Sequence, residues 1–249
     1  MEDAHNELII GRKPVIDALK NQTPLSSIWI DRTLRGPEEI LIRQLARDQQ
    51  VPLKRISREV LHKKTRVNHQ GVIAYTSPIR FHDVEDVLGW VYEKGEIPLL
   101  LYLDRLQDVG NLGSIIRTAE VLGVHAIILP AQKMAPINDQ VVKISTGAVH
   151  KIPICRINNV LETLELLRHS GIKIAASSLT AVQKISQIQF SDPICIVIGS
   201  EDTGISTDIE GMADSLFLIP QFGETESLNA AVATGIILYE VQRQRTPSI

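Results

Sequence analysis

The sequence predicts an α/β protein, with a mainly parallel sheet in its C-terminal part and a smaller α/β unit before it, on three observations. Short runs rich in Ile, Val and Leu recur at 97–103, 124–129, 172–176, 194–198 and 216–219, separated by helical patterns. Such runs are strands buried on both faces, as in a parallel sheet between layers of helices. The first 80 residues instead alternate shorter pieces, with strands at 8–10, 27–30 and 71–75. Helices are expected there at 14–20 and 37–50, each with Pro in its first turn. Between the two parts, Pro78, Gly89 and Gly95 sit in a mixed polar stretch. The domain boundaries are therefore placed at 1–77, a linker at 78–96, and 97–249.

Composition narrows the function classes. Of 249 residues, 44% are hydrophobic and 22% charged, which is the balance of a folded chain rather than a disordered one. Cys155 and Cys195 are the only cysteines and neither has metal-ligand spacing, so neither a disulfide scaffold nor a zinc site is expected, and a reducing cytoplasm fits. The opening MEDAHNELII lacks the basic segment of a signal peptide, and no apolar run approaches the ~20 residues of a membrane helix. Charge is uneven. Residues 1–80 hold 14 Lys+Arg against 9 Asp+Glu, net +5, and residues 81–249 hold 12 against 20, net −8. That asymmetry fits either an N-terminal unit that meets phosphates or ordinary surface variation. KKTRVNHQG at 63–71 likewise fits an RNA-contacting loop or a solvated one.

In parallel sheets ligands bind beyond the carboxyl ends of the strands, and three segments that follow apolar runs stand out. In LDRLQDVGNLGSIIRTAEVLG, 103–123, Gly110 and Gly113 flank Asn111 in an expected turn, with Arg117 one turn into the following helix. That Arg grips a phosphate or pairs with Glu120 or Asp108. In IVIGSEDTGIS, 196–206, the spacing Gly199-x-Glu201-x-x-Gly204 imitates a dinucleotide fingerprint but puts a carboxylate where pyrophosphate would lie, which disfavours NAD. Glu201 there serves a cationic or donor-rich ligand, or simply a helix start. In GETESLNAAVATG, 223–235, Ser227 and Asn229 precede a helix of small residues, a pattern that suits a cap as well as a ligand.

Taken together, the three ordered segments resemble the motifs of the SpoU family of S-adenosylmethionine-dependent RNA 2′-O-ribose methyltransferases, the trefoil-knotted group also called SPOUT. Asn111 and Arg117 match the first motif, Gly199, Glu201 and Gly204 the second, and Ile219, Pro220, Ser227, Leu228 and Asn229 the third. GRKPVIDAL (11–19) and NHQGVIAY (68–75) resemble the L30e-like substrate-binding domain of the family's ribosomal guanosine 2′-O-methyltransferases. There are departures: Ala230 and Ala231 follow Asn229 where Val and Ser are common, Gln221 replaces Met, and Asp202 and Thr203 replace a small or basic pair.

The resemblance implies a knotted C-terminal domain in a homodimer that acts on ribosomal RNA, needs no metal and contacts no membrane. It implies that S-adenosylmethionine is bound by Gly199, Gly204, Ile219, Ser227 and Leu228. It implies that Arg117 activates the 2′-hydroxyl, with Asn111, Glu201, Ser227 and Asn229 aligning the reactants. A guanidinium stays charged, with a pKa above ~12, so gripping the phosphate and stabilising the forming alkoxide is the physically simpler role for Arg117. The small residues Ala230, Ala231, Ala233 and Gly235 would let the last helix pack closely. A tRNA methyltransferase, a non-catalytic RNA-binding assembly factor and a nucleotide-dependent dehydrogenase are the rival readings.

Overall fold

A computed structural model describes residues 8–200, 203–225 and 227–246. The chain divides into two compact units, Met1–Arg80 with Pro136–Asp139, and Phe81–Ala135 with Gln140–Ile249.

The first unit runs β1 (Leu8–Ile10), α1 (Arg12–Lys20), β2 (Leu25–Asp31), α2 (Pro37–Asp48), β3 (Leu53–Ile56), α3 (Arg58–Lys64) and β4 (Val72–Thr76). Its sheet has the order β1-β4-β2-β3, with β4 antiparallel to both neighbours and β2 parallel to β3. Strands β1, β2 and β3 thus run the same way and end at one edge, where α1, α2 and α3 begin. Val15 and Leu19 of α1, and Ile42 and Ala46 of α2, repeat every fourth residue and bury one helix face against Leu25, Ile28, Ile30 and Val72. No sequence pattern announced β3, because Leu53-Lys54-Arg55-Ile56 offers only two apolar side chains.

The second unit carries α4 (Val84–Glu93), β5 (Leu99–Leu103), α5 (Val109–Val121), β6 (Ala126–Pro130), α6 (Asp139–Ile144, whose first residue belongs to the other unit), β7 (Ile154–Ile157), α7 (Val160–His169), β8 (Lys173–Ser177), β9 (Ile194–Ile198), α8 (Thr207–Met212), β10 (Ser215–Phe217) and α9 (Ala230–Arg245). The sheet order is β10-β8-β9-β5-β6-β7 with every neighbouring pair parallel, as the apolar runs require. Central β5 and β9 are buried at every position. Strand β7 was not expected because Arg156 interrupts its apolar run; its guanidinium lies 3.9 Å from the centre of the Phe81 ring. The stretch 78–96 is folded chain over much of its length. Asp83 caps α4, accepting from Glu85 N at 2.8 Å, and Val84, Val87, Leu88 and Val91 join the core.

Helix α9 packs on α5, with Gly235 facing Thr118: a Cβ on the glycine would stand 3.8 Å from the threonine methyl. The end of α9 is fastened by Arg245, whose guanidinium donates to the carbonyls of Ile97, Pro98, Phe190 and Asp192 at 2.7–3.0 Å. Desolvation lowers the pKa of Arg245. Among the described residues no helix is long and apolar enough to cross a membrane.

Candidate active site

A parallel sheet gathers the loops that follow its strands at one edge, and here that edge holds a cavity of about 360 Å³. Small-molecule sites span roughly 300–1,000 Å³. Gly199, Gly204, Ile219, Ser227 and Leu228 all line it. Ser177, the last residue of β8, and Ser178, Leu179 and Thr180, which follow it, line it too. Sequence reasoning passed over this last loop, although it follows an apolar run, 172–176, just as the three chosen segments do.

The loop after β9 is closed on itself. Ser200 N donates to Gly204 O at 3.2 Å and Gly204 N to Ser200 O at 2.9 Å, while the Ser200 and Thr203 hydroxyls lie 2.8 Å apart. A Cβ on Gly199 would sit 2.2 Å from the Gly204 carbonyl carbon, and Gly204 has φ +61°, so this turn requires glycine at both ends. Asp104, only 3% exposed, braces the loop: its Oδ2 accepts from Ser206 N at 2.8 Å and from Arg105 Nε at 3.1 Å. Arg105 Nη2 in turn donates to Gly204 O at 3.2 Å. Neither residue was singled out from sequence, though both stand in the first motif segment. Glu201, expected in the site, and Asp202 lie outside the described residues.

Asp108 caps α5, its Oδ1 accepting from Asn111 N at 2.6 Å, so Gly110, Asn111 and Gly113 lie inside the helix. That corrects the turn expected there: the Asp cap lets the helix begin before its glycines. Asn229 caps α9, accepting from Ala231 N at 3.0 Å and Val232 N at 3.3 Å. Its Nδ2 donates to Asn111 Oδ1 at 2.9 Å, which joins the starts of the two helices. Arg117 sits two turns into α5 rather than one, is exposed, and does not line the cavity. At 100° per residue it stands about 120° round the helix from Asn111. The expected alternative of a salt bridge to Glu120 or Asp108 is not formed; Glu120 pairs with Lys151 at 3.8 Å, and among the described residues Arg117 has no ion-pair partner. Beside Arg117 on the same face stands exposed Val121, and α9 exposes Val232, Ile236 and Tyr239.

The cavity walls define the ligand chemistry. Aliphatic Ile198, Ile205 and Leu218 alternate with serine and threonine hydroxyls, and among the described residues the lining includes no Lys or Arg and a single carboxylate, Glu210. A pyrophosphate would find no cation here. An adenosine carrying a sulfonium finds apolar faces, short polar partners and no repelling cation, so S-adenosylmethionine fits. Among the described residues no group of three His, Cys, Asp or Glu is placed to hold a metal.

Comparison with known proteins agrees with this chemistry. Residues 98–239 match the SpoU rRNA Methylase family, and residues 8–82 match the RNA 2′-O ribose methyltransferase substrate-binding domain. A Bacillus subtilis protein, YacO, described as a TrmH family tRNA/rRNA methyltransferase, is 34% identical over 243 residues, covering 97% of each chain. The crystal structure of the SpoU methyltransferase AviRb from Streptomyces viridochromogenes in complex with AdoMet is similar at TM-score 0.60 and 27% identity, covering 96% of this chain and 90% of that one. The AdoMet-bound rRNA methyltransferase of Sinorhizobium meliloti is similar at TM-score 0.60 and 29% identity, over 95% and 86%. The chain belongs to the SpoU (TrmH) family of S-adenosylmethionine-dependent RNA 2′-O-methyltransferases.

Proposed function

We propose that this protein methylates the ribose 2′-oxygen of one guanosine in large-subunit (23S) ribosomal RNA, residues 1–77 binding the RNA and residues 97–249 forming the knotted transfer domain. The observation that carries this reading is the cation-free cavity beside the paired Asn111 and Asn229. The basic N-terminal unit, matched over 8–82 to a substrate-binding domain, favours a large folded RNA. S-adenosylmethionine supplies an electrophilic methyl group when bound. Gly199, Gly204, Ile219, Ser227 and Leu228 hold and orient it, mainly through backbone groups. Asn111, Asn229, Ser227 and Glu201 align the ribose, and such positioning contributes up to about 7–11 kcal/mol. Arg117 grips the neighbouring phosphate and stabilises the forming alkoxide.

Arg117 is exposed and outside its own chain's cavity lining, so the site is completed by a second copy of the chain. The exposed apolar side chains Val121, Val232, Ile236 and Tyr239 supply the dimer surface. The knot is supported by Leu218, Ile219, Gln221, Ser227 and Leu228, which line the cavity together with residues that follow β8 and β9, and by α9, which packs on α5. Both thiols, Cys155 and Cys195, are buried and their pKa values pushed up by desolvation to about 12, which suits a reducing cytoplasm.

The test is methyl transfer from labelled S-adenosylmethionine to unmodified large-subunit rRNA, with the product located by resistance to alkaline cleavage. One protected guanosine is the expected result. Transfer to tRNA alone would move the substrate; cofactor binding without transfer to any RNA would reduce the protein to a binding factor.

A further inference from the structure

The first unit holds a second cavity, of about 710 Å³, that the methyl-transfer chemistry does not use. It lies beyond the ends of the parallel strands β1, β2 and β3. Three guanidinium groups line it: Arg12, which opens α1; Arg35, just before α2; and Arg58, which opens α3. Two carboxylates line it as well, and both are engaged. Glu38 pairs with Arg12 Nη1 at 3.0 Å. Asp31 Oδ1 accepts from Thr33 N and Thr33 Oγ1, each at 2.9 Å, and these bonds hold its carboxyl below the usual range.

Two of the arginines are set in place by the protein itself. Arg12 Nε donates to Gln70 O at 2.9 Å, and Arg35 Nη1 donates to the carbonyls of Arg32 and Leu34 at 2.8 and 2.7 Å. Arg58 forms no hydrogen bond or salt bridge among the described residues, so its fork is available. Helices α1 and α2 start at Gly11 and Gly36 with no side-chain cap, so only the N–H groups of Arg12 and Lys13 and of Glu38 and Glu39 are left without a capping side chain, Pro14 and Pro37 having none. Pre-placed guanidinium forks around a cavity match the geometry of phosphate oxygens. The volume accommodates far more than one phosphate group, and Gln70, Thr33 and Asp31 add donors and acceptors for a ribose or base edge.

We propose that this cavity takes a phosphodiester and its nucleotide from the RNA substrate, clamped by Arg12, Arg35 and Arg58. The inference rests on the RNA-methyltransferase reading and names the surface within the first unit that grips the RNA.

The experiment uses the full-length protein and a fluorescein-labelled RNA stem-loop, titrated by anisotropy across a series of salt concentrations. Arg58→Ala and Arg35→Ala should each weaken binding about tenfold and lower the salt slope by about 0.7–1, while Arg58→Lys recovers part of the loss. Lys20→Ala, at the far end of α1, is the control for general charge, and S-adenosylmethionine affinity should stay unchanged in every variant. Equal RNA affinity and slope for Arg58→Ala, Arg35→Ala and Lys20→Ala would overturn the inference and leave the methyltransferase reading standing. No RNA binding by the unmodified protein would overturn both. Stabilisation of the protein by inorganic phosphate that Arg58→Ala abolishes, with RNA affinity unmoved, would assign the cavity to a free anion and overturn its RNA role.

Discussion

The two cavities of this protein follow one geometric rule and opposite electrostatics. Each lies beyond the carboxyl ends of parallel strands, where helices begin. The one in the second unit is walled by aliphatic side chains and hydroxyls, with no Lys or Arg among its described lining residues. The one in the first unit is ringed by three arginines. Strand direction therefore places a site, and the side chains in the loops choose its ligand: by our proposals, a sulfonium-bearing adenosine in one case and an RNA phosphate in the other.

The most damaging change should fall on a residue that lines neither cavity. Arg117→Ala is expected to lower single-turnover methyl transfer by about 10²–10³-fold, the usual cost of removing one group that stabilises developing charge. Affinity for S-adenosylmethionine should hold, as calorimetry would report. A matching collapse of cofactor affinity would put Arg117 at the cofactor rather than at the RNA.

Stability of the second unit alone should respond next. Arg245→Ala removes the side-chain donor from the carbonyls of Ile97, Phe190 and Asp192, while Pro98 O keeps Ile194 N, and should cost roughly 2–4 kcal/mol, read as a lower urea midpoint. RNA affinity at low urea should not change; if it fell in step, the units would not be separable in function. A smaller effect is expected at Asn229. Asn229→Ala removes a helix cap worth about 1 kcal/mol. Asn229→Asp keeps the cap but loses the donor to Asn111, so turnover should fall in both variants and the melting temperature mainly in the first.

The smallest effect separates the units by pH. His69 is 1% exposed, and its Nδ1 accepts from Gly71 N at 3.0 Å in the wall of the arginine-lined cavity. Desolvation, then the charges of His62 and Arg58, lower its pKa, against the opposing pull of Asp31. A depressed pKa means the unfolded chain binds the proton more readily. The stability His69 contributes is thus complete above the ordinary value near 6.5 and is lost as pH falls through the lower folded value. His125 in the second unit is also depressed, chiefly by desolvation, so wild type alone mixes both. His69→Asn keeps an acceptor for Gly71 without titrating and should flatten part of the decline in melting temperature between pH 7 and 5.

Much of the second unit was legible because strands buried on both faces must be apolar at every position, and 97–103 and 194–198 are. Strand β7 was hidden by Arg156, whose guanidinium is sheltered by tertiary contacts, that with Phe81 among them. The start of α5 was hidden by Gly110 and Gly113, which read as a turn until Asp108 is seen to cap the helix. Within the site, Gly199, Gly204, Ile219, Ser227 and Leu228 converge from segments that motif spacing had joined. The Asp104–Arg105 brace was not legible, because a hydrogen bond to Ser206 spans about a hundred residues and leaves no local pattern. The arginine-lined cavity was equally hidden, since Arg12, Arg35 and Arg58 come together only when three strands end at one edge.

The most direct test measures S-adenosylmethionine affinity and RNA affinity on the same two full-length variants, Gly199→Ala and Arg58→Ala. The clash of a Cβ at 2.2 Å should cost Gly199→Ala about tenfold or more in cofactor affinity while RNA binding holds. Arg58→Ala should show the reverse, and each retained affinity also reports that the variant is folded. Loss of both affinities in either variant, or of neither, would contradict a division of labour between a cofactor cavity and an RNA-gripping one.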